Sequence, residues 1–131
     1  MRELREIESA ACLTLLEKER IGRLAYIDDG APAIRPVNYF LADKESIVIR
    51  THEGSGFSTL KGVRVAFEVD SIDAEHNSGW SVVASGTAEP ITDIDELVRS
   101  ADPRRRPWAP GDKGQFLRVR IEHVGGRELT Q

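Results

Sequence analysis

At 131 residues, 40% hydrophobic and 31% charged, the chain is long enough for one well-cored domain and too short for two, so residues 1–131 are read as a single domain. A formal charge of −4 argues against a general nucleic-acid binder, whose affinity comes from clustered Lys and Arg on phosphates, and leaves room only for local basic spots. No apolar run reaches the roughly 18–20 residues that span a bilayer, the charged start Met1-Arg2-Glu3-Leu4-Arg5-Glu6 is unlike a signal peptide, and the single cysteine, Cys12, has no intrachain partner; a cytoplasmic protein away from membranes is expected.

The first expected element is a helix from an N-cap at Ser9 to about Arg20, with Cys12, Leu15, Leu16 and Glu19 at helical spacing. The β-rich run Ile21–Ile27 then meets a tight turn at Asp28-Asp29-Gly30, which reads as a hairpin into a strand over Ile34–Phe40. A second turn at Ala42–Ser46 reverses the chain into Ile47–Thr51, giving an antiparallel meander, because connections this short cannot join parallel neighbours. A short helix is expected over Phe57–Lys61.

Val63, Val65, Phe67 and Val69 alternate with Arg64, Ala66, Glu68 and Asp70, the period of a strand with one face in the core. Ser71–Ser78 reads as a loop. The strand Gly79–Ala88 follows, with Gly86 as a candidate bulge and Pro90 as its end. Thr92 and Asp95 resemble a capping box for a short helix ending by Ser100, and the proline-rich stretch 102–111 reads as a loop. Leu117, Val119 and Ile121 alternate in a last strand, before a tail through Gly125-Gly126-Arg127. Six or so strands with two or three short helices point to a mainly β protein in which an antiparallel sheet closes into a small barrel, since closure removes exposed strand edges.

Anion-binding chemistry concentrates between Ile34 and Leu60. Two guanidinium groups, Arg35 and Arg50, the hydroxyls of Thr51 and Ser55, and a Gly-Ser-Gly turn ahead of a helix start are the parts of a phosphate site. Each has a plainer reading: Arg35 and Arg50 as solvated strand residues, Gly54-Ser55-Gly56 as a mere turn, Trp80 and Trp108 as core or interface aromatics. His52, His76 and His123 have no ligand-like spacing, so no metal site is expected, and no Ser-His-Asp or Cys-His pairing can be argued. Arg104-Arg105-Arg106 reads as a solvated loop.

Ile21-Gly22-Arg23-Leu24-Ala25, Pro36-Val37-Asn38-Tyr39, Arg50-Thr51 with Gly54-Ser55, Val65–Asp70, Gly79-Trp80-Ser81-Val82, Pro107–Gly111 and Gly126-Arg127, in that order, resemble the pyridoxamine 5′-phosphate oxidase-like family, and within it the small members grouped with nitroimidazole-resistance proteins. The resemblance implies an antiparallel split β-barrel that binds FMN, works as a homodimer with cofactor sites between the subunits, and acts as a flavin-dependent oxidoreductase on a small planar substrate without a protein nucleophile. Some relatives use a deazaflavin or haem instead. By position, Arg35, Pro36, Val37 and Asn38 would run beside the flavin, Arg50, Thr51, Ser55 and Gly56 would surround its phosphate, and Trp80 and Ser81 would face it from a neighbouring strand. Trp108 and Arg127 would reach in from the partner subunit. The catalytic residues stay unassigned. One departure bears on affinity: Gly56 and Phe57 stand where the family usually carries a phosphate-binding Lys, so Gly56→Lys is expected to tighten FMN binding. The alternative is a non-catalytic split barrel, a ligand-binding or dimeric interaction module with weak or no FMN binding.

Overall fold

The computed structural model describes residues 3–51, 57–91 and 115–130. Seven antiparallel strands and one α-helix are found among them: β1 (Glu3–Ile7), α1 (Ser9–Lys18), β2 (Ile21–Asp28), β3 (Ala31–Ala42), β4 (Ser46–Thr51), β5 (Val63–Asp73), β6 (Ser78–Ile91) and β7 (Gln115–Thr130). The strands run in the order β1-β7-β4-β3-β2-β5-β6, and β6 also pairs with β7. Six strands therefore close into a ring. Along one edge of β7 lies β6; along the other, β4 pairs with residues 115–120 and β1 with residues 126–130. The gap between β4 and β1 along that edge is the split, and the expected split barrel is what the chain forms.

Turn chemistry sets the register of the first hairpin. Asp28 pairs with Ala31, and the two residues between them, Asp29 and Gly30, have φ of 49° and 81°. Positive φ at both central positions is the geometry whose twist matches that of the flanking strands. Alternation then sorts the side chains. Leu24, Tyr39, Ile47, Ile49, Val65, Phe67, Val69, Val82, Ala84, Leu117 and Val119 are buried in one inward-facing core. Cys12 and Leu16 of α1 join it, and the Leu16 carbonyl accepts a buried hydrogen bond from the Tyr39 hydroxyl at 2.5 Å. Desolvation in this packing raises the Cys12 thiol above its ordinary value.

Several boundaries differ from expectation. The helix starts at Ser9 with Glu8 in the cap position and no side-chain cap bond. Phe57–Thr59 is a single 3₁₀ turn, not a helix, and the helix expected after Thr92 lies outside the described residues, as does the loop at 102–111. The loop expected over Ser71–Ser78 shrinks to a four-residue turn, because Asp73 pairs directly with Ser78. Its Asp73 carboxylate accepts from the His76 amide at 3.2 Å and meets the ring Nδ1 at 2.7 Å.

Pro90 does not end β6, which runs on to Ile91 with Pro90 opposite Leu117. The Gly86 bulge is present as a register shift between Ser85 and Gly86. A Cβ at Gly86 would lie 1.7 Å from the Arg120 carbonyl oxygen, so the close approach of β7 demands glycine there. The extra residue lies on β7: Ser85 pairs with His123 but Gly86 with Ile121, leaving Glu122 unmatched and reversing which residues point inward. Glu122 is held there by the Thr87 hydroxyl and by Arg64 at 2.7 Å; the Thr87 bond, then the Arg64 charge, keep its carboxyl below the ordinary value. Beyond the bulge the expected tail is a strand, gripped by β6 on one edge and β1 on the other.

Candidate functional site

Alternation divides the expected flavin-contacting residues of β3. Arg35 and Val37 point to the side of Ala33 and Tyr39, which pack toward the core; Pro36 and Asn38 point outward with Ile34. Arg35 sits at the end of the barrel with its guanidinium carbon 5.7 Å from the centroid of the Phe57 ring, a cation–π position that fixes its direction. Tyr39–Ile49 is the last pair between β3 and β4, and the next residue of each strand, Asn38 and Arg50, follows the alternation to the outer face. Arg50 is half-buried, and Thr51 closes β4 opposite Gln115. Ser55, Gly56 and Trp108 lie outside the described residues.

Phe57 explains part of the expected departure. It is 3% exposed and meets the Tyr26 ring edge-on at 5.4 Å, so the position following Gly56 is occupied by a core side chain.

A second group forms on the opposite part of the wall. Ser81 pairs with Arg127 across β6 and β7, and both line a recess of about 730 Å³ together with Gly125, Gly126, Val83 and the β1–α1 junction at Glu6–Ser9. That volume is within the range of about 300–1,000 Å³ common for small-molecule sites. Trp80, one residue earlier, points the other way and packs against the core.

The strand that carries Ser81 is not next to β3, as expected, but three strands from it in the order β3-β2-β5-β6. At about 4.8 Å per strand, Asn38 and Ser81 are separated by roughly 14 Å of curved wall. The other way round the ring is longer. Arg50 lies opposite Phe116 of β7, and Arg127 is eleven residues further along that strand, roughly 35 Å away. The expected site residues of one chain thus fall into two separate groups, Pro36–Asn38–Arg50 and Ser81–Arg127.

Between them lies a cluster that motif reading passed over. Arg23 of β2 donates from Nε and Nη2 to Glu68 Oε1 of β5 at 3.0 and 2.7 Å, and from Nη2 to Asp70 Oδ2 at 2.6 Å. The Glu68 bond, with both carboxylate charges, raises the Arg23 guanidinium above its ordinary value. Glu68 is also pushed up, first by loss of water and then by Asp70, because one guanidinium shared between two carboxylates does not offset both. The signal was present in the sequence: the β5 alternation puts Glu68 and Asp70 on the face away from Phe67, and only the register with β2 was needed to add Arg23.

Residues 8–128 match the family described as pyridoxamine 5′-phosphate oxidase. The chain belongs to that family. A Mycobacterium tuberculosis protein described as uncharacterized is 32% identical over 140 residues, covering 98% of this chain and 88% of the relative. Among solved structures, a conserved Corynebacterium diphtheriae protein of unknown function is 31% identical with a TM-score of 0.78, covering 95% of this chain and 96% of the other. A FAD-binding protein of Mesorhizobium loti is 28% identical with a TM-score of 0.75, covering 95% and 97%. No helix among the described residues is long and apolar enough to cross a membrane.

Proposed function

We propose that this family member binds a flavin, FMN in the first instance, and acts as an oxidoreductase on a small planar substrate. The observation that carries the reading is that Asn38 and Arg50 follow the last β3–β4 pair, Tyr39–Ile49, on the outward face, an amide and a guanidinium at the end of the strand pair that the family resemblance assigns to the cofactor. A phosphate dianion meets a guanidinium fork through charge-assisted bonds, and an amide can both donate to and accept from the polar edge of a flavin ring. Pro36, without an N–H, leaves an apolar surface on which a ring can lie. A bound flavin supplies the redox chemistry; the protein positions it and tunes its surroundings.

The second group belongs to the same cofactor only through a second copy of the chain. Arg127 and Arg50 are five strand spacings, roughly 24 Å of wall, apart on one barrel, whereas a homodimer presents one copy's Arg127 to the other's Arg50. The FAD-binding relative from Mesorhizobium loti favours a flavin without deciding which. Titration of the purified protein with FMN, FAD and a deazaflavin, followed by absorbance in the flavin region, tests the reading. Saturable uptake of FMN at micromolar concentration is expected, and no uptake of any of the three would overturn it.

A second reading has its own observation. Because Phe57 is a core side chain, no cation from that position can reach the phosphate. A split barrel that holds its ligand weakly and performs no chemistry fits this feature, and would show as binding without turnover of electrons from a reduced nicotinamide donor.

A further inference from the structure

Before the bulge, the outer face of β6 and β7 carries a recess of about 460 Å³ to which none of the expected flavin contacts contributes. Two irregularities of the strands bound it. At one end the bulge turns the unmatched Glu122 outward, where Thr87 and Arg64 hold it; at the other, Pro90 and Ile91 close β6. Between these ends the register sets Thr87 opposite Arg120 and Glu89 opposite Arg118. All four point outward, because Ala88, Leu117 and Val119 point into the core.

The charges in the recess do not satisfy one another. Glu122 has both oxygens engaged: Oε1 accepts from the Thr87 hydroxyl and Oε2 from Arg64 at 2.7 Å. Arg120, two residues back along the same strand, is thereby left without the nearest carboxylate. Its side chain is exposed, and among the described residues it enters no ion pair. Arg118 is half-buried, between Glu89 of β6 and Val48 of β4. With Arg64 counted, three guanidiniums meet two carboxylates, Glu89 and Glu122, a local positive excess on a chain of formal charge −4.

We propose that this recess binds a small organic carboxylate, its anionic end on Arg120 and its apolar body toward Pro90 and Ile91. The proposal uses no residue of the flavin reading and stands apart from it.

The donor set selects the anion. A guanidinium presents parallel N–H donors that match the two oxygens of a carboxylate. One negative charge balances the local excess, whereas a phosphate dianion overshoots it and meets the exposed Glu89 and Glu122 in the same recess. The far end selects the body. Ile91 packs against the cluster of Phe40, Val48 and Phe116, and it lies two residues along β6 from Glu89, the partner of Arg118, roughly 7 Å further on. An aromatic ring or a short alkyl chain spans that distance, and covering Pro90 and Ile91 removes apolar surface from water. The recess stays open to solvent at Arg120, so the charge pair is screened and the affinity modest.

Titration of the full chain with fluorobenzoate, followed by fluorine NMR, tests the proposal. Saturable binding with a dissociation constant of about 1 mM or below is expected. Arg120→Gln, which keeps a polar side chain and removes the charge, is expected to weaken it at least about tenfold. The uncharged amide analogue, fluorobenzamide, is expected not to saturate, and inorganic phosphate at equal concentration is expected not to displace fluorobenzoate. Arg50→Ala is expected to bind fluorobenzoate like wild type, which separates this recess from the flavin corner. No saturation up to about 10 mM, or an Arg120→Gln variant that binds like wild type, would overturn the site. Loss of binding in Arg50→Ala would do the same by moving the ligand to the flavin corner. Binding of the amide, or displacement by phosphate, would overturn the choice of a carboxylate.

Discussion

The outer wall of this barrel carries two apolar regions with opposite fates. On β3, β4 and β7, Phe40, Ala42, Val48 and Phe116 are 2%, 5%, 0% and 5% exposed and pack with Ile91, forming a second hydrophobic cluster outside the main core. A few residues back along β3, and onto β2, β5 and β6, side chains of similar size and on the same outward face are open: Ile34, Ile21 and Val83. The chain buries the first region by itself and leaves the second. Neither apolar character nor charge alone separates them, since Arg118 lies opposite Val48 in the first; what differs is cover, for the second stays open around Arg23, Glu68 and Asp70. A surface built to stay soluble alone and to close onto a specific partner has that mixed composition.

Matched substitutions in the two regions give the widest separation. Val48→Asp puts a carboxylate into the covered cluster and is expected to cost more than about 4 kcal/mol, enough to unfold the protein in a urea titration, while Ile34→Asp is expected to change monomer stability by less than about 0.5 kcal/mol. Equal losses would erase the distinction. Gly86→Ala drives a Cβ into the Arg120 carbonyl at the bulge that re-aims β7, and a loss of about 3 kcal/mol is expected by the same titration. Arg50→Ala, at the boundary between the regions, should leave folding nearly intact and weaken flavin binding by about 1.5–3 kcal/mol, one to two decades in a fluorescence titration.

Tyr39→Phe removes the buried bond to the Leu16 carbonyl and should cost about 1 kcal/mol in thermal unfolding. The smallest effect is in acid. Glu122 is held ionised below its ordinary value by Thr87 first and Arg64 second, so its contribution is present above the ordinary carboxylate range and is lost as the pH falls through the lowered value. Thr87→Val should therefore flatten the acid limb of the stability profile between those two values, and a limb of unchanged slope would contradict the assignment.

The inner surface was legible because it obeys a strict period. Val63 to Val69 announced both the strand and its buried face, and Asp28-Asp29-Gly30 announced the hairpin, since few residue types accept positive φ. Two stretches were hidden for physical reasons. β1 reads Glu3-Leu4-Arg5-Glu6-Ile7, mostly exposed, and is a strand because β7 offers it an edge to pair with. The second half of β7 contains Gly125-Gly126 after a parity-reversing bulge, and pairing on both edges overrides the weak local preference for a strand; a Cβ at Gly126 would come 2.9 Å from the Cys12 sulfur. For the site, the residue types were visible and the distances were not. Nothing in the local pattern says that β2 and β5 lie between β3 and β6, and that order is what separates Asn38 from Ser81.

The central claim is that each flavin site draws on both copies of the chain, and subunit mixing tests it most directly. Arg50→Ala and Arg127→Ala variants, each impaired in flavin binding alone, are mixed in equal amounts, dissociated and allowed to reassociate before flavin titration. If Arg50 and Arg127 serve one site from different copies, mixed dimers contain one intact site, and about a quarter of all sites regain wild-type affinity. If the two arginines serve a site within one chain, every site in the mixture lacks one of them and no tight binding returns, which would contradict the account.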